Sequence, residues 1–533
     1  MSTFDSLSAP APVSDSPLPP APVSDSPPPP ALDLEEVRRC AQLLEAIVAD
    51  RRLLLRLPEP DRIALLSAAG KVVLPERDVR ARLVKSLRKE EKQVKRKKDQ
   101  LVRASTRIRT LRQEPVFQAP PPQLPSETPG PEQLLENPRH CYVCKEEFRR
   151  VHFFYDSMCP PCADFNYAKR FQTAPLDGQV ALITGARVKI GFQASLMLLR
   201  AGARVIATTR FPNDAAERYA REPDFSDWGH RLHVHGLDLR HAPSVELFAR
   251  YMDQTYDRLD ILINNAAQTV RRPPGFYAHL LAKELLPVSA LPQACAPLLA
   301  EHLQCLARVQ PALEAGAPGT AITWSSADPA LGLHSSAALS LVPYALEQEG
   351  DTRRLFPEGR LDADLQQVDL REVNSWRLRL AEVATAEMLE VHLVNAVAPF
   401  ILCGKLKPLM LRNRSRMGHI VNVSAMEGSF SRGKKTDKHP HTNMAKAALN
   451  MMTLTSAADY ARDGIFMNAV DTGWVTDEDP VLHAQRKQEE FDFHPPLDIV
   501  DGAARVVDPV FMAVNSGHGA WGNFFKDYRH TSW

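Results

Sequence analysis

Apolar residues recur three and four positions apart from Leu32 to about Glu114, with Leu34, Val37, Leu43, Leu44, Ile47 and Leu53 to Leu55 carrying the pattern. That period predicts amphipathic helices. Farther on it gives way to an unbroken apolar run, Val180-Ala181-Leu182-Ile183, which reads as a strand buried on both faces. Ala194, Leu196, Leu198 and Leu199 then restore a helical pattern that Gly202 stops, and Arg204-Val205-Ile206-Ala207-Thr208-Thr209 reads as a second strand. Strand, helix and strand in that order predict a βαβ unit with its strands parallel.

Two proline-rich stretches punctuate these segments. Residues 1–31 hold ten prolines and repeat Ala-Pro-Val-Ser-Asp-Ser-Pro from Ala11 and from Ala21. Proline lacks the amide donor of helix and ladder, so an extended, disordered tail is expected. Pro115 to Pro138 forms a second such linker. Composition leaves the broad class open only between soluble folds. Of 533 residues, 44% are hydrophobic and 24% charged, and no apolar run approaches a spanning helix. The first residues carry no apolar signal segment, so a cytoplasmic protein without a membrane partner is expected. The net charge of +1 selects no polyanionic partner globally. Locally, Lys71 to Gln113 holds sixteen basic and five acidic residues. A helix gripping phosphate backbones and a solvated helix with one apolar edge (Leu87, Val94, Leu101, Ile108) both fit, and the second is preferred; nucleic acid as a partner is unsupported.

Eight cysteines are too few for a disulfide scaffold, but four are paired: Cys141 with Cys144, and Cys159 with Cys162, fourteen residues apart. Two such knuckles place four thiolates around one tetrahedral Zn²⁺ and leave it no open position, so the site should be structural. Phe148, His152, Phe153, Phe154 and Tyr155 between the pairs supply a small aromatic core.

Candidate cofactor chemistry lies after the first strand, in Thr184-Gly185-Ala186-Arg187-Val188-Lys189-Ile190-Gly191. Gly185 permits a tight turn, and Ile190 and Gly191 open a helix whose free amides can stabilise a pyrophosphate. An NAD-selective site presents an acid after the second strand. Here Arg210 follows that strand and Arg187 and Lys189 occupy the turn, which predicts NADP(H) in preference to NAD(H).

In these motifs the chain resembles the short-chain dehydrogenase/reductase superfamily. Asp238-Leu239 looks like the end of the third strand, with the adenine-contacting Asp. Ile261-Leu262-Ile263-Asn264-Asn265-Ala266-Ala267 resembles the Asn-Asn-Ala-Gly motif, Asn395 in Val394–Phe400 the helix Asn, and Gly418–Ser424 the fifth strand. Asn468 to Thr476 resembles the loop that receives the nicotinamide. The resemblance covers about Leu176 to Trp533. It implies a Rossmann-type doubly wound α/β sheet, binding of the nucleotide by Gly185, Arg187, Lys189, Ile190, Gly191, Arg210, Asp238, Leu239, Asn265, Ala266, Lys446 and Thr476, and a homo-oligomer.

The family moves a proton with Ser, Tyr and Lys. Here Ala425 falls at the Ser position beside Ser424, and Thr442 at the Tyr position, while Lys446 and Asn395 are kept. An alkyl alcohol is too weak an acid to replace a phenol. His441 is the obvious substitute, provided the helix begins near Thr442 and leaves His441 in the preceding loop; a surface histidine is the competing reading. From Asn265 to Asn395 the chain runs on the order of 100 residues longer than the family needs, an insertion at about 271–388 expected to act as a substrate cap or an interface.

The expected organisation is therefore a tail at 1–31, a helical basic region at 32–114, a linker at 115–138, a four-cysteine zinc element at 139–170 and the Rossmann domain at 176–533. The expected function is an NADP(H)-dependent oxidoreductase acting on a small-molecule carbonyl or alcohol with an atypical proton donor. The alternative is a catalytically degenerate nucleotide sensor or scaffold, associated with nucleic acid through its basic helix and zinc element.

Overall fold

Helix formation begins where Asp33 caps it, its carboxylate accepting from the Glu35 amide at 3.0 Å. The computed structural model describes residues 33–73, 77–120, 133–314, 326–344, 352–412, 417–433 and 435–533. The expected tail at 1–31, and 121–132 of the linker, lie outside them. The chain divides into two compact units at Glu91/Lys92. The first contains α1 (Leu34–Ala49) and α2 (Glu59–Val73), neither of which buries a residue, and the start of α3 (Arg77–Ala104), which runs through the division.

The second unit opens with the end of α3 and with α4 (Arg107–Leu111), followed by the antiparallel pair β1 (Leu134–His140) and β2 (Glu147–Arg150) and by α5 (Pro160–Lys169). Phe154, Tyr155, Met158 and Ala163 form a small core here, together with Ile108 and Leu111 of α4 and with Leu497 and Ile499 from the far end of the chain. Buried charges reinforce this junction. Arg170 holds Asp498 at 2.7 Å and Asp501 at 2.9 Å, and Arg505 donates to Asn166 at 2.7 Å.

The doubly wound sheet follows. Its first half is β3 (Val180–Thr184), α6 (Lys189–Arg200), β4 (Arg204–Thr209), α7 (Pro212–Ala220), α8 (Phe225–Trp228), β5 (Leu232–Gly236) and α9 (Ala242–Thr255), then β6 (Ile261–Asn264). The insertion supplies α10 (Pro274–Glu284), α11 (Cys295–Glu314), α12 (Leu331–His334) and α13 (Thr352–Leu355). The second half is α14 (Thr385–His392), a π turn over Leu393–Val397, α15 (Ala398–Leu411), β7 (Gly418–Ser424), α16 (Pro440–Arg462), β8 (Ile465–Asp471), α17 (Val481–Phe491), α18 (Ile499–Ser516), β9 (Phe524–Lys526) and β10 (Arg529–His530). Strand order is β10-β9-β8-β7-β6-β3-β4-β5, parallel except for β10.

Every residue of β3, β6 and β7 is buried, as a sheet covered on both faces requires. Alternate side chains separate into two cores. Ala181, Ile183 and Val421 meet Leu196 and Leu199 of α6 and Val506 and Val510 of α18. Leu182, Leu262 and Ile420 meet Phe248 of α9 and Leu402 and Leu406 of α15. The stretch Thr385–Leu411 is long and apolar enough to cross a membrane, yet its Leu402, Leu406 and Leu409 are core residues of this second layer.

The insertion also packs against the sheet. Along α11, Cys295, Leu298 and Leu299 join the first core, while Cys305 and Val309 join the second. The helix therefore lies across the outer strand β5, and the His235 and His302 rings meet 5.9 Å apart.

Candidate functional site

Strand order reverses between β3 and β6, where an open α/β sheet leaves a crevice at the carboxyl ends of its strands. A cleft of about 500 Å³ lies there, lined from Gly185, Arg187, Lys189, Ile190 and Gly191 past Arg210, Asp238 and Leu239 to Asn265, Ala266 and Thr476. The structure thus gathers on one wall all the nucleotide-site residues expected from the sequence except Lys446.

Close approach explains its glycines. Gly185 has φ +67°, and a Cβ there would meet the Ala266 Cα at 2.8 Å. A Cβ on Gly191 would lie 2.3 Å from the Gly185 carbonyl oxygen and 2.4 Å from the Asn265 Nδ2. Asn265 closes the turn, its Nδ2 donating to the carbonyls of Thr184 (2.9 Å) and Gly185 (3.1 Å). Lys189 starts α6 with φ +55°, a left-handed geometry that a lysine adopts at a cost of about 1 kcal/mol or more. No side chain among the described residues caps α6, and its first residues, Lys189, Ile190 and Gly191, line the cleft.

The cations are not equivalent. Arg187 is buried against Asp214 at 2.8 Å. Arg240 holds Asp238 at 2.6 Å and Glu390 at 3.2 Å, which commits the expected adenine-contacting carboxylate. Arg272 and Arg371 both pair with Asp369. Arg210 differs, donating to two neutral oxygens, Ser340 Oγ at 3.0 Å and Tyr277 Oη at 2.8 Å. Glu478 is the carboxylate that the sequence reading missed. It accepts from Thr476 at 2.6 Å and from Thr269 at 3.4 Å. Burial would raise its pKa, but the Lys189 charge and these bonds hold it below the usual range. Asp477-Glu478-Asp479, directly after the expected nicotinamide loop, was the signal for it.

The catalytic candidates lie behind this wall rather than on it. Asn395 sits in the π turn, where its Oδ1 accepts from the Gln268 amide at 2.7 Å and its Nδ2 donates to the Gln268 carbonyl at 3.1 Å. Ser424 and Thr442 are buried, and neither hydroxyl has a hydrogen-bond partner among the described residues. Lys446 is 4% exposed and donates to the Val423 carbonyl at 2.8 Å; burial lowers its pKa to about 8, against the pull of Glu427 and Asp471. Gly428 lets the β7 loop reach α16, because a Cβ there would lie 2.6 Å from the Lys446 carbonyl carbon.

One expectation needs correction. Helix α16 begins at Pro440, not near Thr442, because His439 takes a left-handed φ of +42° and stacks on Trp376 at 3.8 Å. His441 is therefore within the first turn, 2% exposed, with its Nε2 3.5 Å from Glu387. Tyr277 of the insertion is a buried core residue that also lines the cleft.

The four cysteine sulfurs all lie within 4.8 Å of one another, with Cys144 and Cys159 3.6 Å apart. Four Zn–S bonds of about 2.3 Å at tetrahedral angles place sulfurs about 3.8 Å apart, so the set fits zinc. The first knuckle also touches the cleft's far loop, Tyr142 Oη accepting from the Trp474 amide at 3.0 Å.

Comparisons with known proteins agree with this architecture. Residues 179–294 match the family model described as short chain dehydrogenase, and residues 372–495 match that of enoyl-(acyl carrier protein) reductase. An uncharacterized protein of Acanthamoeba polyphaga mimivirus is 29% identical over 404 residues, covering 73% of this chain and 74% of its own. The (+)-neomenthol dehydrogenase of Arabidopsis thaliana is 36% identical over 89 residues, 16% of this chain and 29% of that protein. The Homo sapiens retinol dehydrogenase 13 is 33% identical over 93 residues, 17% and 28%. This chain therefore spans under a third of the length of these two dehydrogenases. Among solved structures, the NADPH-bound carbonyl reductase from chicken fatty liver is superposed with a TM-score of 0.39 at 16% identity, over 67% of this chain and all of that one. The segment between the two matched family models, 295–371, is the heart of the insertion. The two matches, in chain order around that insertion, make these parts of the chain similar to short-chain dehydrogenases and reductases.

Proposed function

We propose that this chain is an NADP(H)-dependent oxidoreductase of the short-chain type, acting on a small carbonyl or alcohol and carrying one structural Zn²⁺ on Cys141, Cys144, Cys159 and Cys162. The observation that carries the cofactor choice is Arg210. It stands beyond the carboxyl end of β4, half-buried on the cleft, its guanidinium donating to two neutral hydroxyls. Among the described residues no carboxylate is in salt-bridge contact with this guanidinium, although Asp238 lies within its field, and a ribose 2′-phosphate would supply a direct anionic partner. Bound, the nicotinamide would supply the hydride.

The chain's own task is then to bind, orient and move a proton. The uncapped amides of α6 receive the diphosphate, with Gly185 and Gly191 allowing the approach. Lys446 takes over the acid role left open by Thr442 and Ala425. Its ammonium is desolvated and titrates near operating pH, which suits proton donation to a developing alkoxide. Thr442 lies one turn earlier on the same face, and its hydroxyl can pass that proton on. Asn395 fixes the backbone at Gln268, on the cleft wall.

A sensor without turnover is the second reading, favoured by one observation: Lys446 Nζ is bonded to Val423 rather than exposed on the cleft. Calorimetry with NADPH and NADH, followed by NADPH consumption against varied carbonyls, separates the two. NADPH is expected to bind more tightly than NADH, and Arg210→Ala to cost it about tenfold or more, since a hydrogen bond to a charged group contributes about 1.5–3 kcal/mol. Equal affinities in the parent protein would remove the argument for NADP(H). Tight binding with no consumption of any carbonyl would favour the sensor.

A further inference from the structure

Arg210 does not hold its place alone. Helix α10 of the insertion docks on the end of β4 through an apolar cluster of Phe211, Phe276, Tyr277, Leu280 and Phe356. Within it the Tyr277 ring stacks on Phe211 at 5.3 Å, and the Arg210 guanidinium lies 4.7 Å from the Tyr277 ring centroid. The Arg210 Nη2 donates to Tyr277 Oη, which uses an acceptor site of the phenol and leaves its hydrogen free to donate. Among the described residues no acceptor for that hydrogen is found. Asp238, a carboxylate of the cleft, is already bound by Arg240 through both oxygens.

Charge agrees with this geometry. Burial by itself would raise the pKa of the Tyr277 hydroxyl, but Arg210, with Arg272 and Arg240 behind it, pulls it below the ordinary value. A phenol in such a field is a stronger donor than one in water, and it faces the cleft. An anion is the acceptor it is suited to.

We infer that Tyr277 is a specificity-determining residue for the nucleotide: it orients Arg210 and donates its own hydroxyl hydrogen to a phosphate monoester on the ribose 2′ position. The inserted segment thereby completes a phosphate subsite of which the Rossmann core contributes one wall. This rests on the NADP(H) reading above and extends it to a residue outside the Rossmann core.

Tyr277→Phe tests it in the full-length protein, because it keeps the ring on Phe211 and under Arg210 and deletes only the hydroxyl. Calorimetric titration of NADPH should show about a tenfold or greater loss of affinity, the scale of one hydrogen bond to a charged partner. NADH, which has no 2′-phosphate, should change by less than about twofold. Ser340→Ala removes the other support of Arg210 and should narrow the same preference more weakly. Loss of affinity for both nucleotides alike would show a merely structural role and overturn the inference. So would an unchanged preference in Tyr277→Phe while the parent still favours NADPH. A parent protein without preference would instead overturn the NADP(H) reading itself.

Discussion

Turnover of a confirmed carbonyl substrate is expected to fall about 10²-fold or more when Lys446 is replaced by Met, the scale of a lost general acid. Reduction requires the ammonium form, which is populated below its pKa of about 8. The rate should therefore decline as pH rises through about 8, and the variant's residual rate should not follow that profile. The same burial has a thermodynamic sign. Lys446 has its pKa lowered on folding from the ordinary 10.5, so the unfolded chain binds more protons between about 8 and 10.5. The cost of burying the ammonium is full below about pH 8 and is relieved as pH rises through that window. His441→Ala provides the contrast, since that ring faces Glu387 rather than the cleft. A hundredfold loss in His441→Ala, with Lys446→Met nearly unaffected, would move the proton to His441.

One equivalent of zinc per chain is expected from elemental analysis, and Cys141→Ser should lose it. Structural zinc contributes on the order of 10 kcal/mol to the fold of its own element, more than the small core around Phe154, Tyr155 and Met158 can replace. Removal should also reach the cleft. Tyr142 sits between Cys141 and Cys144 and holds the Trp474 amide, at the start of the loop that carries Thr476 and Glu478. Chelation is thus expected to lower the melting temperature and to weaken NADPH binding together. Protein free of zinc that melts unchanged would end the metal assignment.

Most of the sheet was legible because its strands are short apolar runs that both faces bury, and a run such as Val180 to Ile183 has no other stable use. The glycine turn was legible for a similar reason, since Gly191 faces a carbonyl oxygen at a distance no side chain survives. What escaped depends on partners distant in the chain. Nothing local distinguishes Arg187, neutralised by Asp214, from Arg210, which donates to hydroxyls of the insertion. The start of α16 was misplaced because the stack of His439 on Trp376, 63 positions away, sets the backbone there. Tyr277 was one tyrosine among several in a segment without periodicity to orient it.

The position of α11 also bears on how copies of this protein can meet. An exposed outer strand offers a row of free amides and carbonyls to any other strand, and sheets grow and aggregate along such rows. Here α11 seals one margin of the eight-stranded sheet along β5, and the opposite margin ends in the two-residue β10. Strand-by-strand growth into a continuous intermolecular sheet is closed at the first margin and short-lived at the second.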